Sequence, residues 1–216
     1  MAKSTRFFLR IPLILFALGN LVLLGQKLQP WQEIHNLPEQ GATAYDPLIC
    51  LAAYLILFFW IGSTRSPEAQ KALTISAGLA IPAGLLAIGY VLLDAQQGAH
   101  NLYAQIGVLA LASLFPGIAG YKTQKLTKSP NVGIVAGAWS GMVSALMAVA
   151  VILARLDPSS TEPLSNDPWK QYEGLAIGNQ AIQNLVHSLN LSSCFLLIAP
   201  LVGGVLALFF ALSAQE

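Results

Sequence analysis

Long apolar stretches alternate along the chain with short polar segments. Within these stretches, apolar and polar residues do not alternate as they do in the strands of a membrane barrel. A helix needs about 20 apolar residues to cross a hydrocarbon core about 30 Å thick, and the last four stretches have that length. We therefore predict an all-α membrane protein, a six-transmembrane-helix bundle. The predicted spans cover about 8–25, 47–63, 72–93, 102–121, 132–154 and 194–214.

The polar segment before the last span has a pattern of its own. Three prolines interrupt its first part and then stop, and apolar residues recur beyond Tyr172 at spacings of three and four, separated by Asn, Gln and His. This pattern indicates an amphipathic helix. We predict an extracytoplasmic amphipathic helix over about 172–191, between the fifth and sixth spans, that caps the bundle; a helix lying on the outer membrane surface is the alternative.

Composition supports a membrane location. Of 216 residues, 55% are hydrophobic and 10% are charged, and the mean hydropathy is +0.62; an ordinary soluble domain is about 25% charged. The length fits a single integral membrane domain, 1–216, whose main partner is the lipid bilayer. A net charge of +1 gives no indication of nucleic acid as a partner.

The positions of the basic residues predict the orientation of the spans. With both termini in the cytoplasm, only Lys27, Arg155 and Lys170 of the eleven Lys and Arg residues lie outside. Basic residues near span ends favour the cytoplasmic side, and a missed span would disturb this sorting. The bias therefore favours six spans, with the N- and C-termini in the cytoplasm, and a bacterial inner (plasma) membrane.

The first apolar stretch allows two interpretations. Lys3 and Arg6 precede it and Arg10 lies near its start, an order of basic and apolar residues like that of a signal peptide. However, Leu23–Lys27 is a poor cleavage site because it lacks the small-x-small pattern. We expect an uncleaved first helix, with a signal peptide as the alternative.

Small residues recur every four positions in the fifth span, at Gly133, Gly137, Gly141 and Ala145, and in the fourth at Ser113 and Gly117. Such rows let two helix backbones approach closely in a membrane. We predict that this glycine zipper packs helices within one chain. A dimer face or a moving helix is the alternative.

Proline interrupts three predicted spans away from their first residues, at Pro82, Pro116 and Pro200. Proline in a helix removes one backbone hydrogen bond and usually kinks the helix. Pro82 and Pro200 lie in the third and sixth spans, which would be equivalent in an inverted repeat of the kind found in transporters. The halves share no other similarity, so kinks without a repeat are the expectation.

The two cysteines, Cys50 and Cys194, lie near the outer ends of the second and sixth predicted spans. In an oxidising compartment they would form a disulfide if their Cα atoms came within about 7 Å. Two free thiols are the alternative.

Groups suited to chemistry are scarce at membrane depth. No Asp, Glu, Lys or His lies in the middle of a predicted span, which argues against common ion-coupled transport. Ser140 has no histidine in any span to activate it. His35, His100 and His187 lie in separate outer segments without the spacing of metal ligands. We therefore predict no catalytic, cofactor or metal site.

Two functions fit this pattern. The first is a non-enzymatic accessory or structural subunit of a larger membrane complex. The second is the permease component of a transporter that works with a separate cytoplasmic ATPase. Six spans and an outer helix before the last span are similar to the architecture of some ATP-driven exporter permeases. In that case the Thr64–Lys71 segment or Lys122, Lys125 and Lys128 would dock the ATPase.

Overall fold

A computed structural model of the protein describes residues 2–28, 41–62, 66–97, 102–156 and 180–212. These residues form six helices and no strands, which confirms the all-α fold. The helices are α1 (Ala2–Lys27), α2 (Gly41–Gly62), α3 (Pro67–Gln97), α4 (Leu102–Thr127), α5 (Pro130–Arg155) and α6 (Gln180–Leu212). Each predicted apolar stretch falls on one helix, apart from one residue of the second stretch and two of the last, which lie outside the described ranges.

Four helices are long and apolar enough to cross a membrane: α3, α4, α5 and α6. The described apolar parts of α1 and α2, Leu13–Lys27 and Tyr45–Phe58, are shorter. Large apolar side chains point outward on the bundle; Ile49 is 64% exposed, Leu85 60% and Phe209 68%. Such a surface is stable against hydrocarbon and unstable against water, so the chain is an integral membrane protein.

Helix α5 lies at the centre of the bundle. In its apolar part 67% of the residues are buried, against 33% in α3 and α6 and 28% in α4. The other helices therefore shield α5 from lipid, and the same helices leave much of their own apolar surface facing outward. A helix that is apolar on all sides can lie at the centre of a bundle or face lipid. The higher buried fraction of α5 therefore comes from how the helices pack around it.

One side of α5 packs through large side chains against α1 and α2. Leu146, Val149 and Leu153 are fully buried there, in one core cluster with residues of both helices. The Trp139 ring meets the Phe58 ring of α2 edge-to-face, with 4.9 Å between ring centroids. This side is an interdigitated apolar core of ordinary kind.

The opposite side of α5 packs through glycines against the backbone of α6. A Cβ atom added at Gly137 would come within 3.0 Å of the Gly203 carbonyl oxygen, and one added at Gly141 would come equally close to the Ala199 carbonyl oxygen. Sequence numbers rise along α5 as they fall along α6, so the two helices are antiparallel. Only glycine fits this approach of one backbone to another.

Helix α4 joins the same junction. A Cβ atom added at Gly133 of α5 would lie 2.9 Å from the carbonyl oxygen of Gly120. One added at Gly117 would meet the Phe210 ring of α6 at 2.6 Å. The C-terminal halves of α4 and α6 therefore run parallel and in close contact, with α5 against both.

A hydrogen bond links α2 to α6 at a proline. Pro200 has no N–H to donate to the Leu196 carbonyl four residues earlier. The Tyr54 hydroxyl of α2 donates to that carbonyl at 2.6 Å, and Tyr54 is 4% exposed. Tyr54 thus satisfies the acceptor that the proline leaves without its helical donor.

A second polar contact links α1 to α5. The Asn20 side-chain amide, which is 1% exposed, donates to the Phe16 carbonyl at 3.1 Å and to the Leu146 carbonyl at 3.3 Å. Its own carbonyl oxygen has no hydrogen-bond partner. The interhelical bond therefore comes with the cost of one buried unpaired acceptor.

The last helix differs from its prediction. We expected an amphipathic helix ending near residue 191 and a separate span from 194, but α6 continues unbroken from Gln180 to Leu212. The segment 191–194 contains neither glycine nor proline, so nothing ends the helix there. Leu185, Val186 and Leu189 lie in the core cluster, and the segment packs into the bundle. Residues 172–179 of the predicted helix lie outside the described residues.

The possible disulfide between Cys50 and Cys194 is not formed; both are free thiols, as in the alternative interpretation. Cys50 is buried in the core cluster that also contains Leu196. Cys194 precedes Leu196 by two positions and so lies on roughly the opposite side of α6, since successive residues turn by about 100°. Cys194 is exposed, so its thiol points away from the side of α6 that packs in the core cluster with Cys50.

The connection between α4 and α5 is only two residues long. Lys128 has a positive φ of 53°, and its N–H donates to the Gln124 carbonyl at 2.7 Å. This left-handed residue ends α4 in the way that glycine usually does. Pro130 then begins α5, where a missing N–H costs nothing.

Candidate functional site: an apolar cleft between α3, α4 and α6

A cleft of about 490 Å³ lies beside the central helix. One wall is the inner face of α4, where Ile106, Leu109, Ala110, Ser113 and Pro116 recur at helical spacing. Parts of α3 and α6 form the other walls. The volume lies within the range of about 300–1,000 Å³ found for small-molecule sites.

The cleft closes where α4 and α6 come into contact. A Cβ atom added at Gly203 of α6 would lie 3.1 Å from the Pro116 side chain of α4, and both residues line the cleft. On the C-terminal side of this contact α4 and α6 remain in contact with each other, and on its N-terminal side they line the cavity. Pro116 therefore sits at the position where a proline kink would separate the N-terminal half of α4 from α6.

Helix α5 contributes the floor through Ser144, which is 6% exposed. On the far side of the cleft, Tyr90 of α3 meets Phe195 of α6 edge-to-face, with 5.8 Å between ring centroids. This aromatic pair joins α3 to α6. The cleft therefore has a floor and a closed end.

Both serine hydroxyls of the lining donate hydrogen bonds within their own helices. The Ser113 hydroxyl donates to the Ala110 carbonyl at 2.8 Å, and the Ser144 hydroxyl donates to the Gly141 carbonyl at 2.9 Å. No charged side chain lines the cleft within the described ranges. The remaining lining is aliphatic and aromatic, apart from the Tyr90 hydroxyl and the Cys194 thiol, so the cleft offers mainly apolar contact area.

The walls are open to the outer surface of the bundle. Ile106 is 55% exposed, Leu109 37% and Ile198 55%. Ile106 lies on α4 and Ile198 on α6, so the opening faces the same hydrocarbon as the outward leucines of those helices. A molecule dissolved in the membrane core reaches the cleft without crossing water.

The predicted site residues lie in several different parts of the bundle. Ser113, Pro116 and Cys194 line the cleft. The glycines Gly117, Gly133, Gly137 and Gly141 lie in the helix junction beneath it. Ala145 is fully buried in the core cluster with the large residues of α5. Pro82 lies within α3, and neither glycine row lines an outward face.

Chemistry-bearing residues are dispersed. No group of three or more His, Cys, Asp or Glu residues among those the structure describes is placed to hold a metal ion. His187 is half-buried on α6, whereas His35 and His100 lie outside the described residues. Ser140 is fully buried, and its hydroxyl has no hydrogen-bond partner.

Sequence reasoning did not identify the cleft. Tyr90, Ser144 and Phe195 come from three helices, and nothing in their sequence context marks them as neighbours. The one available signal was Pro116, since a proline in the fourth span indicates a bend. The lining of the cleft is mostly apolar, so the cleft can hold an apolar molecule. No protein-family model, curated protein or solved structure matches this chain.

Proposed function

We propose that this protein is a non-enzymatic accessory or structural subunit of a larger membrane complex. The observation that carries the proposal is the filled centre of the bundle. Helix α5 is 67% buried along its apolar part, and its glycines meet the α6 backbone directly. A solid centre suits a scaffold that holds its shape inside an assembly.

The position of the cavity supports the same proposal. The cleft lies to one side of α5, is apolar, and opens on the outward surfaces of α4 and α6. A path for a polar substrate would instead need polar groups along its walls. Within the described helices, the volume beside α5 is suited to hydrocarbon.

The proposal includes a topology. Six spans with both termini in the cytoplasm place the α4–α5 turn on the inner side of a bacterial plasma membrane. Lys122, Lys125 and Lys128 are exposed at this turn, as the positive-inside rule requires of an inner segment. The outer polar segment between α5 and α6 then faces the other side of the membrane.

Extraction of the tagged protein in polymer discs, without detergent, tests the proposal. Mass spectrometry of the purified discs should find one larger membrane protein in constant ratio to this chain. The charge-preserving triple variant K122R/K125R/K128R is the matched reference for any variant that weakens this association. A homogeneous particle that contains this chain alone would contradict the proposal.

The exposed lysines of the α4–α5 turn favour a second candidate, a permease component that works with a separate ATPase. Three positive charges close together would attract an acidic surface on such a partner. The triple variant K122E/K125E/K128E should then release a soluble ATPase from the membrane fraction, while K122R/K125R/K128R retains it. Equal recovery of the same partners with both variants would exclude this function for the turn.

A further inference from the structure

We propose that the cleft between α3, α4 and α6 binds the hydrocarbon chain of a membrane lipid. This inference goes beyond the proposed subunit role and does not depend on it. It requires only that α4 and α6 lie in the bilayer, where their length and apolar surface place them.

The polarity of the lining selects this ligand. Both serine hydroxyls of the lining already donate within their own helices, from Ser113 to Ala110 and from Ser144 to Gly141. Apart from these serines, the lining holds only the Tyr90 hydroxyl and the Cys194 thiol as polar side-chain groups among the described residues, so a ligand with amide or charged groups would find few partners there. An alkyl chain needs no hydrogen-bond partner, and on entry it exchanges dispersion contacts with neighbouring lipid chains for dispersion contacts with the walls.

The position of the opening selects the same ligand. The wall residues Ile106 and Ile198 are each 55% exposed, and they are continuous with the outward apolar faces of α4 and α6. Lipid chains are the molecules present at this depth. The cleft therefore exchanges its occupant with the bilayer sideways.

The shape of the mouth favours a flexible chain over a helix from a partner protein. Helix–helix contacts in membranes use small residues that let backbones approach. Here the glycines Gly117, Gly137 and Gly203 are used inside the bundle, and the mouth is formed by branched aliphatic side chains. A lipid chain can follow such an irregular surface.

The test uses the whole protein in vesicles of phosphatidylethanolamine and phosphatidylglycerol that contain a trace of phospholipid with a diazirine on one acyl chain. After illumination, mass spectrometry maps the adducts. The expected result is a concentration of adducts on cleft residues such as Ala110 and Cys194 over outward residues such as Leu111 and Leu201. Adducts spread evenly over both sets would overturn the proposal.

Two variants of α4 sharpen the test. Ala110→Phe places a ring in the cleft and should abolish the cleft adducts. Leu111→Phe adds a ring on the outward side, where Leu111 is 53% exposed, and should leave them unchanged. Equal adducts in both variants would overturn the proposal, as would cross-linking of the cleft to a partner polypeptide in native membranes. The adduct map of the unmodified protein decides the question even if Ala110→Phe does not fold.

Discussion

The two sides of α5 are built on different principles. Toward α1 and α2, large side chains such as Leu146 and Trp139 fill the space between helices that stand apart. Toward α6, Gly137 and Gly141 bring the two backbones into direct contact, and a carbonyl oxygen of α6 lies within 3.0 Å of the position that each Cβ atom would take. The first side can relax when a side chain changes, because side chains rotate. The second cannot, because backbone atoms move only with the whole helix.

The largest effect is expected on the glycine side. Gly141→Val places a branched side chain against the carbonyl of Ala199 and the Cα atom of Pro200. We expect the free energy of unfolding to fall by more than about 3 kcal/mol, the upper part of the range for overpacked sites. Titration with sodium dodecyl sulfate, followed by circular dichroism in mixed micelles, measures this change.

Gly89→Val in α3 is the matched control, since a Cβ atom at Gly89 meets nothing within 4 Å. It should change the free energy of unfolding only slightly. Similar losses in Gly141→Val and Gly89→Val would show that the effect is a property of glycine in helices and not of the contact with α6.

The large-residue side should respond less strongly. Leu146→Ala removes a fully buried side chain, and we expect a loss of about 2–3 kcal/mol in the same titration, the lower part of the range for such truncations. Leu111→Ala, at an outward position that is 53% exposed, should lose much less. If Leu146→Ala costs more than Gly141→Val, the two sides of α5 do not differ as described.

The bond between Tyr54 and the Leu196 carbonyl predicts a smaller effect. Tyr54→Phe should cost about 1 kcal/mol, because it leaves a buried carbonyl without a donor. Pro200→Ala restores an N–H to that carbonyl, so Tyr54→Phe should cost less in a Pro200→Ala background. A double-mutant cycle in the same titration gives the coupling, and a coupling of zero would separate the tyrosine from the proline.

The smallest effect concerns the α4–α5 turn and has the opposite sign. Lys128 has φ of 53°, a conformation that costs a side-chain-bearing residue about 1–2 kcal/mol. Lys128→Gly should therefore stabilise the protein, by about 0.5 kcal/mol after the entropy of glycine is counted. Lys125→Gly removes the same charge within the last turn of α4 and should destabilise it. If both substitutions stabilised the protein, the cause would be the loss of a positive charge and not the backbone conformation of Lys128.

The spans were predictable because each is a long apolar run with clear ends. The fifth span was predicted at 132–154 and observed as Pro130–Arg155, with a proline at its start and an arginine at its end. Helix existence follows from the hydrophobic pattern and from the need to satisfy every backbone group in lipid. The count of six spans remains a prediction.

The continuity of α6 could not be read from the sequence in the same way. Asn, Gln and His between residues 180 and 191 suggested a separate surface helix. In the structure His187 and Asn190 are half-buried, while their apolar neighbours reach the core. A polar stripe and an apolar stripe fit a helix on a surface and a helix in a bundle equally well.

The cleft and the Tyr54 bond depend on how helices are placed relative to one another. Pro200 indicated that one carbonyl would need a donor, but the donor lies 142 positions from its acceptor along the chain. The sequence allows a disulfide between Cys50 and Cys194 because both lie near the outer ends of predicted spans. The sequence predicts only the depth of each cysteine in the membrane. It does not predict which face of α6 points toward α2, and this face determines that Cys194 lies away from Cys50.

Glycines bring the α5 and α6 backbones into direct contact, and adding a single methyl group at that contact is the sharpest test of this arrangement. Gly137→Ala and Gly78→Ala add the same atom to two helices; at Gly137 it meets the Gly203 carbonyl, and at Gly78 it meets nothing within 4 Å. We expect Gly137→Ala to lower the free energy of unfolding and Gly78→Ala to leave it unchanged or raise it, since alanine favours helix. Equal values for the two variants would contradict this arrangement.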